Sequence, residues 1–417
     1  MEFSMFHKVT LAVCGVFVGS ALLAAQPEWA SWRGPERNGI SPEKGLLQEW
    51  KAAPKLLWRV DNIGGGYASI TIHDGRIFTM GQIDGDTCLI CLDLKDGELL
   101  WKTELGAQDA PNCTPTVDGD RVYGLSKNGV LICADTKTGR EIWKLKYESD
   151  FGGKMMSGWG YSESPLVDGN KLIVTPGGKD AMLAALDKRT GKTIWKTAVP
   201  EKLAGGAAYS SVVISHAAGV KQYVQLVGRG IVSADAETGK LLWNYEPIAN
   251  GTANIPTPIV KGDYVFCSTG YGTGAALLKV VKQGSGLEAE EVYFLKSKQM
   301  QNHHGGMVLI GDYIYCGHGH NEGFPLCIEM LTGKVAWSPG RGVGKGSAAV
   351  LAVDGNLIFR YESGDVALIE ATPTEYILKG QFKSPTHHGA NWPHPVVVDG
   401  KLYLRDQTSL LCFDIKG

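Results

Sequence analysis

The chain has 417 residues, 41 of them basic and 43 acidic, so its formal net charge is −2. This balance, without any run of lysine or arginine, argues against nucleic acid as a partner. Glycine occupies 55 positions and 20% of the residues are charged, which is typical of a turn-rich globular protein and excludes a disordered or fibrous one.

The first predicted element is a secretory signal over residues 1–25. A short basic region precedes an apolar run from Thr10 to Ala25, and we expect cleavage between Ala21 and Gln26. An uncleaved anchor is the alternative. No later stretch reaches the ~18 apolar residues of a membrane span. We therefore expect an exported chain, periplasmic or extracellular, with no membrane span after cleavage, and residues 26–54 as a lead-in segment.

Internal repeats dominate residues 55–417. Four segments share an apolar strand, an acidic residue, a glycine turn and a final tryptophan: "LICLDLKDGELLW" (89–101), "LICADTKTGREIW" (131–143), "LAALDKRTGKTIW" (183–195) and "IVSADAETGKLLW" (231–243). A second hairpin, such as "TPTVDGDRVYGLS" at 114–126, lies before each of them. Each unit is therefore predicted to be four short antiparallel strands joined by tight turns.

Aromatic anchors recur along the whole repeat region at spacings of 42 to 52 residues: Trp58, Trp101, Trp143, Trp195, Trp243, Phe294, Trp337 and Phe382. Four strands at this spacing indicate propeller blades, and eight anchors predict an all-β, eight-bladed β-propeller. The last unit stops at "LLCFDIKG", and its missing outer strand is present as "KLLWRV" at 55–60. We therefore expect the N- and C-terminal strands to share the last blade and close the ring.

This architecture predicts on which face of the propeller each loop lies. If strands A to D run from the centre outward and strand A runs down from the top face, the segments entering each strand A and the B-to-C loops lie on top. Cys91, Cys133, Cys327 and Cys412 occupy one small buried position in their repeats and are predicted to pack, not to react. Cys88 and Cys91 point to opposite faces of one strand and make no redox pair.

The repeat best seen at Ala134, Asp135, Thr138, Gly139 and Trp143 resembles the tryptophan-docking repeat of the pyrroloquinoline quinone (PQQ) propeller superfamily. That superfamily includes the quinoprotein alcohol dehydrogenases and the BamB-type outer-membrane assembly proteins. The opening "SWRGPERNGISPEKGLL" is most similar to exported PQQ-like propellers of unassigned function. The resemblance covers the mature chain and implies the fold, because the docking repeat joins blades to one another. It says little about function, because the repeat touches no ligand.

The resemblance also implies candidate cofactor residues on the top face. PQQ carries three carboxylates and needs cationic and amide donors, and its calcium needs carboxylate and amide oxygens. The candidates for PQQ are Trp159, Glu163, Arg229, Asn254, Lys345 and Asp406, with Glu163 and Asn254 as calcium ligands. The sequence departs from the dehydrogenases in having no vicinal cysteine pair, no aspartate close after Asn254 and no haem segment. No catalytic residue is assigned.

Histidines are the second set of candidates. His303 and His304 enter strand A of the sixth blade, His318 and His320 lie in its B-to-C loop, and His387 precedes the eighth blade. One interpretation is that they only order the blade entrances; the other is a zinc or copper site that combines His303, His318, His320 and His387. As neighbours in an extended segment, His303 and His304 are expected to diverge, so that at most one can face a shared centre.

The leading hypothesis is an exported, monomeric binding or assembly module that takes a small molecule or an exported protein on its top face. The alternative is a PQQ- and calcium-dependent alcohol dehydrogenase, and a histidine-metal enzyme comes third. The sequence leaves open whether the protein is an enzyme.

Overall fold

The computed structural model describes residues 1–2 and 28–417. The predicted signal segment therefore lies, apart from Met1 and Glu2, outside the described residues. Two strands come before the repeats, β1 (Ile40–Ser41) and β2 (Lys55–Val60). In the described chain the helical elements are α1 (Tyr147–Phe151) and the 3₁₀ turns Glu201–Leu203, Ala217–Gly219 and His320–Glu322.

The repeats form sheets of four consecutive antiparallel strands, and the first four sheets follow chain order. Blade 1 contains β3 (Thr71–His73), β4 (Arg76–Ile83), β5 (Asp86–Asp93) and β6 (Leu99–Glu104); blade 2 contains β7 (Thr116–Asp118), β8 (Arg121–Leu125), β9 (Val130–Asp135) and β10 (Glu141–Lys146); blade 3 contains β11 (Leu166–Asp168), β12 (Lys171–Val174), β13 (Leu183–Asp187) and β14 (Thr193–Thr197); blade 4 contains β15 (Val213–Ser215), β16 (Gln222–Val227), β17 (Gly230–Asp235) and β18 (Leu241–Tyr245).

The remaining sheets complete the ring. Blade 5 contains β19 (Ile259–Lys261), β20 (Tyr264–Thr269), β21 (Gly274–Gln283) and β22 (Gly286–Lys296); blade 6 contains β23 (Met307–Ile310), β24 (Tyr313–His318), β25 (Phe324–Glu329) and β26 (Val335–Trp337); blade 7 contains β27 (Ala348–Val353), β28 (Asn356–Tyr361), β29 (Asp365–Glu370) and β30 (Leu378–Lys383); blade 8 contains β31 (Val396–Val398), β32 (Lys401–Asp406) and β33 (Ser409–Asp414), with β2 as its outer strand. The predicted eight-bladed propeller is confirmed.

Each repeat turn has a local chemical cause. In blade 2, Asp135 accepts hydrogen bonds from the backbone N–H groups of Lys137 and Thr138 at 3.0 and 2.8 Å, which shapes the turn from strand C to strand D. Gly139 ends that turn with φ +71°, and the Trp101 ring of blade 1 packs against it. The indole N–H of Trp101 donates to the carbonyl of Thr136 at 3.1 Å. The C-to-D turn of blade 2 therefore binds the tryptophan of blade 1.

The ring closes between its two chain ends, as predicted. Trp58 on β2 pairs with Cys412 on β33 in an antiparallel ladder. The Trp58 ring then packs on Gly97 in the C-to-D turn of blade 1, the same contact that Gly139, Gly191 and Gly239 make with the tryptophan of the preceding blade. Blade 8 is thereby held to blade 1, and the edge of β33 is paired with β2 where the chain ends meet.

Residues 28–54, here called the central segment, occupy the channel of the ring before the chain reaches β2. β1 adds to blade 7 as a parallel strand inside β27. The segment contacts the innermost strands or the entrances of blades 1, 2, 3, 6, 7 and 8 through Ile72, Val117, Ser164, Met307, Ala352 and Val397. It leaves along the lower face, where Trp50 bridges Gly380 on β30.

The apolar core lies between neighbouring blades and includes the cysteines. Cys88, Cys91, Cys113, Cys133, Cys267, Cys316, Cys327 and Cys412 are buried and form no disulfide with one another. Burial raises the pKa of the Cys91 and Cys133 thiols to about 12, so both are protonated at neutral pH. Within the described residues, no helix combines the length and apolar character that a membrane crossing requires.

Candidate functional site

A cavity of about 300 Å³ lies at the centre of the top face, where the blade entrances meet. Its size is at the lower end of small-molecule sites, which are ~300–1,000 Å³. Trp32 of the central segment lines it from the channel side, and the other lining residues come from blade entrances and top loops. The ring and the central segment together therefore make a pocket that opens to one face.

Most of the lining follows one rule along the sequence. Seven blades each contribute two residues spaced by two, just before strand A or at its approach: Tyr67 and Ser69, Asn112 and Thr114, Ser162 and Ser164, Tyr209 and Ser211, Ile255 and Thr257, His304 and Gly306, and Trp392 and His394. Alternate residues of an extended segment face the same side. Blade 7 differs, and Glu362 from its B-to-C loop lines the cavity there.

Hydroxyl groups link these entrances to one another. The backbone N–H of Ser69 donates to Thr114 Oγ1 at 2.9 Å, and that of Ser164 donates to Ser211 Oγ at 3.0 Å. The backbone N–H of Ser211 in turn donates to Thr257 Oγ1 at 3.1 Å. Within the described chain no acceptor takes the hydroxyl proton of Thr114, Ser211 or Thr257. These three groups are therefore free to donate into the cavity.

Aromatic rings form the apolar part of the cavity wall, in contrast to these hydroxyl groups. The Trp392 ring stacks on Tyr67 with centroids 4.4 Å apart and contacts His304 at 4.5 Å. Trp159 meets Trp392 edge-on at 6.1 Å and is 52% exposed. Tyr271, at 36% exposure, stands on the rim beside His303. Trp159, a predicted cofactor residue, is thus a wall of the cavity.

His303 and His304 do not diverge, which corrects the expectation for these neighbours. Their ring centroids lie 4.1 Å apart, and both rings line the cavity. The alternation of an extended strand does not apply because the chain bends through Gly305 and Gly306, which has φ +71°. The His320 ring lies 4.2 Å from that of His303 and extends the group.

The cavity histidines are held neutral by burial. Loss of hydration lowers the pKa of His303 to about 4, and the pKa of His304 well below its usual value. Burial and the nearby Arg33 cation together lower the pKa of His394 to about 3. His303 bonds Ser347 Oγ at 2.8 Å and Tyr271 Oη at 3.1 Å, so both of its ring nitrogens have protein partners.

The other predicted histidines make hydrogen bonds to the backbone or lie outside the cavity. His318 Nδ1 accepts the backbone N–H of Gln301 at 3.1 Å, and His320 Nδ1 accepts that of Tyr271 at 3.3 Å. His387 is exposed and lies outside the cavity, in a shallower groove beside Lys345. Among residues 1–2 and 28–417, no group of three or more His, Cys, Asp or Glu side chains is placed to hold a metal ion.

Glu163 and Asn254, the predicted calcium ligands, are buried behind the cavity lining. Glu163 Oε1 accepts the backbone N–H of Thr175 at 2.7 Å and the hydroxyl of Tyr147 at 3.0 Å, and burial raises its pKa. The Asn254 amide donates to the carbonyls of Val227 and Gly228 at 3.1 and 3.3 Å. Glu163 Oε1 and the Asn254 amide are therefore engaged in structural hydrogen bonds, whereas Glu163 Oε2 is buried without a partner among the described residues.

The remaining predicted PQQ residues lie away from the cavity. Arg229 is exposed and Lys345 lines the shallower groove. Asp406 accepts the backbone N–H of His388 at 3.1 Å. The cavity is lined by the Glu362 carboxylate and, among the described residues, by no lysine or arginine. This donor set does not fit a cofactor with three carboxylates and a calcium ion.

Sequence reasoning missed much of the lining, including Trp32, Tyr67, Tyr209, Glu362 and Trp392. The spacing of two residues at the blade entrances was a usable signal for Tyr67, Tyr209 and Trp392, because each stands two residues before a serine or histidine. Trp32 lies outside the repeats, and Glu362 lies in the one blade that departs from the rule. Neither position has a periodic signal.

Solved structures with this fold include an assembly-factor homologue and dehydrogenases. BamB from Moraxella catarrhalis is 15% identical with a TM-score of 0.62, covering 88% of this chain and 98% of that one. Quinohemoprotein alcohol dehydrogenase from Comamonas testosteroni is 14% identical with a TM-score of 0.64, covering 94% and 81%. A europium-containing methanol dehydrogenase is 13% identical with a TM-score of 0.66, covering 91% and 89%. At these identities the likeness concerns the fold alone.

At the level of sequence, no curated protein matches the chain. The family model described as outer membrane protein assembly factor BamB matches residues 51–127 and 109–339, which is more than half of the chain. The matched region begins just before β2 and ends just after the D strand of blade 6, so it includes the docking repeats of blades 1 to 6. The chain therefore belongs to the BamB family of PQQ-repeat β-propellers.

Proposed function

We propose that this chain is an exported binding protein that holds a small molecule in the central cavity of its top face. The observation that carries the proposal is the pocket of about 300 Å³, walled by aromatic rings and hydroxyl groups and lined from the channel side by Trp32. A concave, mostly apolar site with a few convergent polar groups is the usual form of a ligand pocket. The N-terminal signal pattern supports export.

The lining favours binding over chemistry. Glu362 is the one carboxylate among the described lining residues, so the site lacks the pair of carboxyl groups that acid–base hydrolysis commonly uses. His303 has both ring nitrogens in hydrogen bonds to Ser347 and Tyr271. The groups present can orient a ligand, and the cavity histidines, whose pKa values are lowered by burial, suit hydrogen bonding rather than proton transfer at pH 7.

The test is saturation-transfer NMR with a general library of small soluble compounds. Ser162→Trp should block the cavity, because Ser162 lines it and is only partly buried. Ser338→Trp, at an exposed position outside the cavity, is the matched control. We expect bound compounds with the parent and the control and none with Ser162→Trp, at unchanged melting temperature. A library without any binder that depends on Ser162 would refute the proposal.

The dehydrogenase alternative has its own measurement. We expect the parent protein, mixed with PQQ and calcium, to take up no cofactor by absorbance and to show no dye-linked alcohol oxidation. The reason is that no lysine or arginine among the described residues lines the cavity and that Glu163 and Asn254 bond the backbone. Stoichiometric PQQ uptake that Glu163→Gln abolishes would instead establish the dehydrogenase site.

Export is tested separately from binding. Expression with the native leader, followed by mass spectrometry of the protein in the periplasm or medium, should give an N-terminus between residues 22 and 26. A chain that keeps residue 1 and stays with the membrane would support the uncleaved anchor.

A further inference from the structure

Among the described residues, exposed aromatic rings are confined to this cavity. Among the described residues, the large hydrophobic side chains that stand exposed are mostly aliphatic, and the aromatic ones are Trp159 and Tyr271. Both line the cavity. An exposed tryptophan loses the free energy of burial that the other aromatic rings of the propeller gain. The two rings at the rim are therefore best explained by a ligand that covers them.

The polar groups of the cavity include both hydrogen-bond donors and acceptors. The hydroxyl protons of Thr114, Ser211 and Thr257 have no acceptor within the described chain, as set out above. Three further lining residues hold a buried polar atom that lacks a described partner: Trp392 at Nε1, His304 at Nε2 and Glu362 at Oε2. Indole can only donate, whereas a neutral imidazole nitrogen can donate or accept. A matching ligand must offer several groups that both donate and accept.

The charge of the cavity further restricts the chemical class of the ligand. Glu362 brings a carboxylate to the lining. Two cations beside the cavity, Arg33 and Arg37, lie 5.5 and 5.9 Å from the centroid of the Trp32 ring and are buried in the central segment. Their guanidinium groups donate to the backbone carbonyls of Met307 and Ser164. These Nη groups are already engaged and neither arginine lines the cavity, so an anionic ligand would meet the Glu362 carboxylate and, among the described lining residues, no lysine or arginine.

We infer that the cavity binds a neutral saccharide, with the terminal sugar of a disaccharide or longer glycan seated inside and the next sugar at the rim. This inference rests on the proposed function and names the class of its ligand. A sugar ring has an apolar C–H face, which suits the exposed Trp159 ring. Its hydroxyl groups both donate and accept, which suits Thr257, Ser211 and Trp392.

The experiment uses the full mature protein and an immobilised array of neutral glycans, followed by calorimetry with the free disaccharides of each hit. Cellobiose, maltose, mannobiose and diacetylchitobiose are included, together with a uronic-acid disaccharide as the charged counterpart. We expect at least one neutral disaccharide to bind and the charged counterpart to bind about tenfold more weakly or not at all.

Two variants locate the binding. Trp159→Ala removes an exposed ring and should lower the affinity about tenfold or more, because aromatic contacts dominate such sites. Leu100→Ala, which removes an equally exposed side chain on β6, is the control and should bind as the parent does. Thr257→Val should weaken binding and Thr257→Ser should restore it, because serine keeps the hydroxyl group.

The failures can be told apart. If library compounds bind in a way that Ser162→Trp removes but no neutral glycan binds, the saccharide inference is wrong and the binding proposal stands. Binding of the uronic acid alone also overturns the inference, because its charge argument fails. If neither glycans nor library compounds bind, both are wrong. Glycan binding that Trp159→Ala leaves unchanged would place the saccharide elsewhere and overturn the assignment of this cavity.

Discussion

At the scale of single residues, the contact between a tryptophan and a glycine holds neighbouring blades together. Gly139 has φ +71°, and a Cβ added there would lie 2.6 Å from the Trp101 ring. Gly106 has nearly the same φ, +72°, yet a Cβ there would meet nothing within 4 Å. The two glycines therefore share the backbone requirement and differ in their packed neighbours, which at Gly139 are the Trp101 ring and Thr103 Oγ1.

Replacing each of these glycines by alanine separates the two costs. Both variants should lose about 1 kcal/mol for the left-handed conformation. Gly139→Ala should lose about 1–3 kcal/mol more, because the Trp101 ring has to move. Denaturant unfolding of both variants measures the difference. Equal losses for the two would mean that the glycine is needed for the turn alone and that tight docking of the ring adds nothing.

At the scale of elements, the central segment and β2 have distinct roles although they adjoin in the chain. The central segment brings Trp32 to the cavity, whereas β2 completes the sheet of blade 8. Ser41 Oγ donates to the carbonyl of Val397 at 3.0 Å, and Trp29 pairs with Ile72. These contacts attach the segment to the inside of a ring that β2 closes from outside.

Two truncations distinguish these roles. A protein without residues 28–49 keeps β2 and should remain monomeric, with a lower melting temperature and no ligand binding, because Trp32 is lost. A protein without residues 28–60 exposes the edge of β33 and should oligomerise or unfold. Light scattering after size exclusion and thermal unfolding give both readouts. A monomer that lacks 28–60 and melts as the parent does would contradict the closure.

The elements show which features can be predicted from sequence. The blades and their closure were predictable because Trp58, Trp101 and Gly139 belong to contacts between neighbouring repeats, which recur at a fixed spacing. The pairing of His303 with His304 was not, because the bend at Gly305 and Gly306 is specific to one entrance. Trp32 reaches the cavity through a channel that exists only after the ring has formed. A position of that kind has no counterpart elsewhere in the chain.

At the scale of the whole molecule, five buried or half-buried histidines make stability depend on pH. Burial lowers the pKa of each, to about 4 for His303 and about 3 for His394, and downward also for His304, His318 and His320. Between pH 6.5 and about 4 the unfolded chain therefore binds more protons than the folded one. Glu163, whose pKa is raised by burial, acts in the opposite direction but is a single group.

We therefore expect the free energy of unfolding to fall as the pH drops from 6.5 to about 4, with up to ~1.4 kcal/mol per pH unit from each such histidine. His303→Asn should reduce this slope, because it removes one titrating group. His216→Asn, at an exposed position, is the control and should keep the full slope. The unfolding midpoint at several pH values checks both variants. A stability profile that is flat across this window would contradict the neutral, buried state of the histidines.

The closure of blade 8 also determines when the ring can complete its folding during synthesis. Asp61, at the end of β2, meets Ser409, at the start of β33, across a separation of 348 residues, so a strand synthesised among the first must wait for one synthesised among the last. Local blades can form meanwhile, but the ring cannot close. Trp392 and His394 arrive equally late. A chain whose synthesis stops early therefore contains most of its blades but lacks the complete pocket. Its β2 strand has no partner, and an unpaired strand edge can bind chaperones or aggregate.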